Sequence, residues 1–286
     1  MFNMLSPYSS KKNDDAMTSK KMIHQTLKKL GLMNFARAMN RWFIGLRWII
    51  PNRRQYSGSA KESIPLPSPG LIMDVAGTPD ASWFLKSGRL AFDSLQNSLR
   101  EEGYDIAKFS SILDFGCGCG RVTRHFEFFK GTLIGVDINQ RLIRWCSRHI
   151  PFASFLVSDL SPRLPFLQET FDFVYGLSIL THLPESLQEP WIDEFERILK
   201  PGGLVLLTVH GEYYLNDLDT ENQRLFKEGK LVTKATGDPG SNRFGSYHPR
   251  SYIESHFTKK MDLLNLIPCG ALGNPYQDIF VLKKRI

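Results

Sequence analysis

The sequence predicts an α/β chain, a doubly wound and mostly parallel sheet of seven strands with an N-terminal helical arm. Between residues 111 and 209, five short β-prone runs alternate with helix-period segments, the rhythm of parallel strands joined by crossover helices. Two further β-prone runs, 261–268 and 278–283, close the chain and bring the strands to seven. The first run, Ile112–Phe115, drives into three alternate glycines, Gly116, Gly118 and Gly120. Glycines so placed let a backbone turn with φ > 0 or lie against a ligand without a Cβ between them.

Charge divides the chain in two. Residues 1–60 hold eleven Lys and Arg against two acids, Asp14 and Asp15, and the remainder holds 25 basic and 27 acidic residues. The pI near 9.2 therefore belongs to an arm, and the body is close to neutral. That argues against nucleic acid as a partner, because a dedicated binder carries its basic patch on the fold. The four cysteines, Cys117, Cys119, Cys146 and Cys269, have no zinc-ribbon spacing and make no disulfide framework in a chain of this size. No metal site is expected, and the setting reads as reducing and cytoplasmic. The first residues lack the apolar core of a secretory signal, and no run reaches the length of a membrane span.

Residues 1–21 are polar, basic and without period, so disorder is expected. Apolar residues at 32, 35, 36, 39, 42, 43, 46, 49 and 50 then follow helical spacing, with Arg37 and Arg41 opposite, and Pro51 is expected to stop the helix. Such a helix suits either an anionic membrane surface, peripheral to its inner face, or packing against the domain or a second copy. Ile44 and Trp48 interrupt its polar face, which favours packing. Residues 52–70 read as a linker, so the arm spans 1–60 and the main domain 71–286. Helical spacing over 82–102 precedes the first strand, and a helix is expected directly after the glycines. The remaining strands are expected at 132–137, 153–158, 171–178 and 204–209, with helices at 140–149 and 185–199. Residues 211–260 break the rhythm, a long insertion at the end of the sheet where such folds hold substrate specificity.

Three acids end or follow three consecutive strands, Asp114, Asp137 and Asp159, and would converge on one crevice at the carboxyl ends. Asp137, 17 residues past Gly120, stands where a ribose finds a carboxylate. Dinucleotide sites use G-x-G-x-x-G, whereas here the pattern is G-x-G-x-G with an acid two residues before the first glycine. That acid would repel a pyrophosphate and attract an ammonium. No G-x-x-x-x-G-K-[ST] is present.

The runs ILDFGCGCGRVTRHF, LIGVDIN, SDL, FDFVYGLSILTHL and LKPGGLVLLTV, in this order and spacing, resemble the class I S-adenosylmethionine-dependent methyltransferases over residues 110–210. The resemblance implies a Rossmann-like methyltransferase fold with strand order 3-2-1-4-5-7-6 and S-adenosyl-L-methionine as cofactor. It assigns Asp114 and the loop around Gly116, Cys117, Gly118 and Gly120 to the methionine moiety, and Asp137 to the ribose hydroxyls. Ile138 and Leu160 would flank the adenine, Asp159 would take its exocyclic amine, and the backbone at Gly176 and Leu177 would lie beside the sulfonium. No Asn-Pro-Pro-Tyr follows the fourth strand, where base-directed members of the family carry it, which points away from nucleobase methylation.

The expected activity is methyl transfer to an O or N nucleophile of a small-molecule, sugar or lipid-linked acceptor. The alternative is a non-catalytic, membrane-recruited scaffold that keeps the cofactor-binding fold. His182, just past the fourth strand, is the candidate general base, and loop capping is its other reading. Arg243, Tyr247 and His248 in the insertion are candidate acceptor contacts, or equally the loop's own hydrogen bonding.

Overall fold

A computed structural model describes residues 39, 43–59, 63–235, 237–274 and 276–286. The expected disordered start, and most of the first half of the 32–50 helix, lie outside them. Strands β1 (Ser111–Phe115), β2 (Thr132–Asp137), β3 (Ser154–Val157), β4 (Phe171–Gly176) and β5 (Leu199–Val209) are parallel. A hairpin, β6 (Val232–Ala235) and β7 (Phe244–Tyr247), stands apart from the main sheet, and β8 (Met261–Ile267) and β9 (Asp278–Lys284) close it antiparallel. The seven-stranded order is β3-β2-β1-β4-β5-β9-β8, the expected 3-2-1-4-5-7-6 once the hairpin is set aside.

Successive residues of a strand point to opposite faces, and the sequence fills both. Leu113, Phe115, Val174, Val205, Leu207, Phe280 and Leu282 share one face, buried against Trp191, Ile192 and Phe195. Their alternates Ile112, Phe173, Leu204, Leu206, Ile279 and Val281 share the other, buried against Phe92, Leu95 and Leu99. The α-helices are α1 (Ile49–Ser59), preceded by helical residues 43–47, α2 (Pro69–Ala76), α3 (Ala81–Glu101), α4 (Gln140–His149), α5 (Glu185–Ile198), α6 (Thr220–Lys227) and α7 (Arg250–His256) among the described residues. Among the described residues, no helix is long and apolar enough to cross a membrane.

Three expectations need correction. The glycines lead into a single 3-10 turn, Thr123–Phe126, and not an α-helix. The sheet face there is already covered by α3, and Gly88 of that helix lets it close directly on the Arg121 backbone. Pro51 does not stop the N-terminal helix: α1 runs through it, and the amides on either side keep the ladder, Trp48 donating to the Ile44 carbonyl and Asn52 to the Trp48 carbonyl, so that only the bond proline cannot donate is lost. The described residues 52–59 and 63–70 do not form a linker either. Asn52 is buried, donating to the Pro79 carbonyl at 2.9 Å and accepting from the Ala81 amide at 3.0 Å, so α1 is tied to the start of α3. Ile64 and Leu66 are buried too, and the Arg124 guanidinium donates to the Ile64 carbonyl at 2.7 Å.

A Cβ at Gly88 would lie 2.3 Å from the Arg121 carbonyl oxygen, a backbone atom that cannot swing away. Alanine is favoured over glycine inside a helix by about 1 kcal/mol, yet Gly88→Ala is expected to destabilise by about 1–3 kcal/mol through overpacking. The urea midpoint should fall at unchanged slope; an unchanged or raised midpoint would contradict this packing.

Candidate functional site

A cleft of about 970 Å³ opens at the carboxyl ends of the parallel strands. It sits where the chain's course through the sheet reverses, β2 and β3 lying to one side of β1 and β4 and β5 to the other. Its floor is the glycine loop. Gly118 has φ +57° and Gly120 φ +72°, left-handed values that a Cβ would strain. Of the three glycines, Gly116 and Gly118 line the cleft, while Gly120 turns away and packs against Ile150. Cys117 also lines it, and Cys117, Cys119 and Cys146 are free, buried thiols.

All three acids reach the cleft. Asp137 Oδ2 accepts from the Gly118 amide at 2.9 Å and Oδ1 from the Asn139 amide at 2.7 Å, so one carboxylate joins the end of β2 to the loop. Burial raises its pKa and those two amides oppose the rise. Asp114 is 3% exposed and accepts from Thr123 Oγ1 at 2.6 Å. Burial pushes it up to about 6, against the Thr123 hydrogen bond. Asp159 is exposed at the rim, its Oδ1 accepting from the Ser161 amide at 2.7 Å. Ile138, Leu160 and Leu177 line the same cleft. Gly176 does not line the cleft: its Cα faces the Leu207 and Phe115 side chains.

His182 lines the cleft, and its Nδ1 donates to the Phe244 carbonyl at 2.8 Å. That carbonyl can only accept, so Nε2 keeps its lone pair, and burial lowers the ring's pKa. The same residue anchors the hairpin, because its carbonyl accepts from the Gly240 amide at 2.8 Å. Both earlier readings of His182, base and loop anchor, are thus compatible with one geometry.

The three candidates in the insertion part company. Arg243 lines the cleft with the rest of the hairpin tip. Tyr247 does not; it is half-buried against the rings of His210 and Tyr214. His248 is 1% exposed and belongs to the interior. Gln188 Nε2 donates to the Leu180 and Leu183 carbonyls, so its Oε1 accepts from His248 Nε2 at 3.1 Å. Burial lowers the His248 pKa to about 3, and the neutral ring serves the packing of α5 on the insertion.

Several lining residues had not been singled out. Arg121, directly after the last glycine, is 9% exposed and donates to the Gly273 carbonyl and to Asn274 Oδ1. A cation adjoining a glycine loop was a signal available in the sequence. Gln277 had none. It donates to Ser178 Oγ at 2.8 Å and accepts from Thr208 Oγ1 at 2.7 Å, helping hold Ser178 at φ +61°, a costly value for a residue with a side chain. The roof was also unforeseen. Met73–Ala76 of α2 and Asp238–Arg243 of the hairpin tip both line the cleft, and Asn242 Nδ2 donates to the Asp74 carbonyl at 3.2 Å between them.

Residues 112–203 match the family described as "Methyltransferase domain". A sterol 4-C-methyltransferase of Caenorhabditis elegans is 28% identical over 159 residues, 54% of this chain and 45% of that one. A tRNA (carboxymethyluridine(34)-5-O)-methyltransferase of Arabidopsis thaliana is 39% identical over 103 residues, 35% and 24% of the two chains. The chain thus spans less than half the length of these curated relatives. Among solved structures, an S-adenosylmethionine-dependent methyltransferase of Clostridium acetobutylicum shares the fold with TM-score 0.52 at 12% identity, over 69% of this chain and 92% of that one. The tRNA relative leaves the expectation against nucleic acid without support.

Asp114 carries a pH signature. Its pKa is higher folded than unfolded, so between about pH 4 and 6 the unfolded chain releases this proton first and stability falls as pH rises. The loss should approach about 3 kcal/mol by neutral pH. Urea titrations of wild type and Asp114→Asn should diverge over that interval, and parallel pH profiles would contradict the burial of an ionisable Asp114.

Proposed function

From the premise that residues 112–203 form a class I S-adenosylmethionine-dependent methyltransferase domain, we propose that this chain methylates an O or N nucleophile of a small-molecule, sugar or lipid-linked acceptor. The observation that carries this reading is the convergence of Asp114, Asp137 and Asp159, from three neighbouring strand ends, on one cleft floored by the glycine loop. The donor set fits the cofactor. Each carboxylate oxygen of Asp137 already accepts one amide and has a lone pair left for a ribose hydroxyl. Asp114, whose burial holds back its ionisation, gains most from an ammonium group nearby.

In this reading Asp137 binds the ribose, Ile138 and Leu160 flank the adenine, and Asp159 accepts from its exocyclic amine. Asp114, with the backbone of Gly116, Cys117 and Gly118, holds the methionine moiety, and Leu177 lies beside the sulfur. Arg121 adds a buried positive charge for the carboxylate of that moiety. When bound, S-adenosyl-L-methionine supplies an electrophilic methyl group. The protein's part is chiefly alignment and exclusion of water, and alignment alone supplies up to about 7–11 kcal/mol. His182, neutral and with Nε2 unprotonated, takes the proton of an acceptor that needs deprotonating. Acceptor choice falls to Arg243 and to the polar wall of Ser178, Asn274 and Gln277. The relatives named for sterol, tRNA and malonyl-[acyl-carrier protein] methylation differ too widely to select among acceptors.

Calorimetric titration with S-adenosylhomocysteine tests the reading. Hydrogen bonds to a charged group contribute about 1.5–3 kcal/mol each, so Asp137→Ala should weaken binding by about 100-fold or more. Absence of binding to the wild type, or equal binding by the variant, would refute it.

A further inference from the structure

The N-terminal helix buries the face that its sequence marks as polar and leaves its apolar face outside. Residues 43–47 are helical and continuous with α1, the Trp48 amide donating to the Ile44 carbonyl and the Asn52 amide to the Trp48 carbonyl. On one helix, positions 44, 48, 52 and 55 share a face and 43, 46 and 50 the opposite one. The first set is turned inward: Asn52 is buried, and Ile44, Trp48 and Gln55 are partly buried. On the other side Phe43 is 57% exposed, Leu46 49% and Ile50 82%, with Ile49 at 56% on the flank. Arg47 and Arg54, both exposed, border this stripe on one side, exposed Arg53 lies between Ile49 and Leu46 one turn further along, and residues 43–59 include no acid.

We infer that this stripe is a docking surface for an anionic lipid bilayer, with Leu46, Ile49 and Ile50 entering the interface and the three arginines meeting the headgroups. Charge decides between occupants. Isologous pairing with a second copy would set arginine against arginine with no acid on either helix, whereas an anionic leaflet supplies the missing countercharge. Juxtamembrane Lys and Arg are drawn to such a surface, and residues 1–42 add eight Lys and Arg against two acids to the three arginines of this helix. The helix is tied to the body beside the cleft roof, Tyr56 donating from its hydroxyl to the Pro67 carbonyl just ahead of α2. On the methyltransferase reading, docking here selects the lipid-linked class of acceptor.

The test is sedimentation of the full chain with phosphatidylcholine vesicles, with and without phosphatidylserine. Binding to the anionic vesicles should be about 10-fold stronger or more, and should weaken as salt rises. The double variant Leu46→Asp, Ile50→Asp should lose vesicle binding, and Arg47→Glu with Arg54→Glu should lose the preference for phosphatidylserine. These side chains are exposed, so both variants should keep the wild-type melting temperature and S-adenosylhomocysteine affinity, a readout that separates this proposal from that of the activity. No binding, equal binding to both vesicle types, or undiminished binding by the aspartate variant would overturn it. So would a concentration-dependent dimer abolished by the same aspartates, which would assign the stripe to a second copy. Binding that appears only after residues 1–42 are removed would assign it to the chain's own N-terminal segment.

Discussion

The cleft depends on one carboxylate. Asp137 ends β2 and accepts from the amides of Gly118 and Asn139, so a single side chain joins the glycine loop after β1 to the turn after β2. Without it two amides at the cleft floor lose their acceptor, and the loop loses a tie to the neighbouring strand. On the proposed reading, a carboxylate that shapes the floor while keeping lone pairs for a ligand is both scaffold and contact. Its substitution therefore touches loop conformation and ligand affinity together.

Around that floor the chain has built a roof from elements outside residues 112–203. Helix α2 comes from the N-terminal side and the hairpin tip from the insertion, and the Asn242–Asp74 hydrogen bond joins them. Gly240 at the tip lies so close to the Ile138 and Leu160 side chains that a Cβ there would meet them at 3.1 and 2.9 Å. His182 secures the same hairpin by its carbonyl and its Nδ1. On the proposed reading, the residue that would take a proton is thus held by the segment that would choose the acceptor.

Much of this was legible in the residues because it rests on local rules. Alternating apolar residues at 112–115 and 204–209 serve two buried faces, and acids at the strand ends appear as breaks in apolar runs. What escaped detection depends on distant contacts. Pro51 reads as a helix stop until the amides of Trp48 and Asn52 are seen to carry the ladder past it. Asn52 reads as linker until Pro79 and Ala81 come within hydrogen-bonding reach. His248, two positions along from the hairpin strand's Ser246, reads as a site residue until Gln188 is seen to hold it in the interior. Arg243 and His182 reach the cleft as expected, and Gln277 does so only because β9 inserts beside β5.

A crystal structure with S-adenosylhomocysteine tests whether this cleft holds an adenosine-bearing sulfonium cofactor on Asp137. Ribose hydroxyls should donate to the Asp137 carboxylate, with the purine between Ile138 and Leu160 beneath the hairpin tip. A ligand bound elsewhere on the chain, or seated in the cleft with Asp137 untouched, would contradict it.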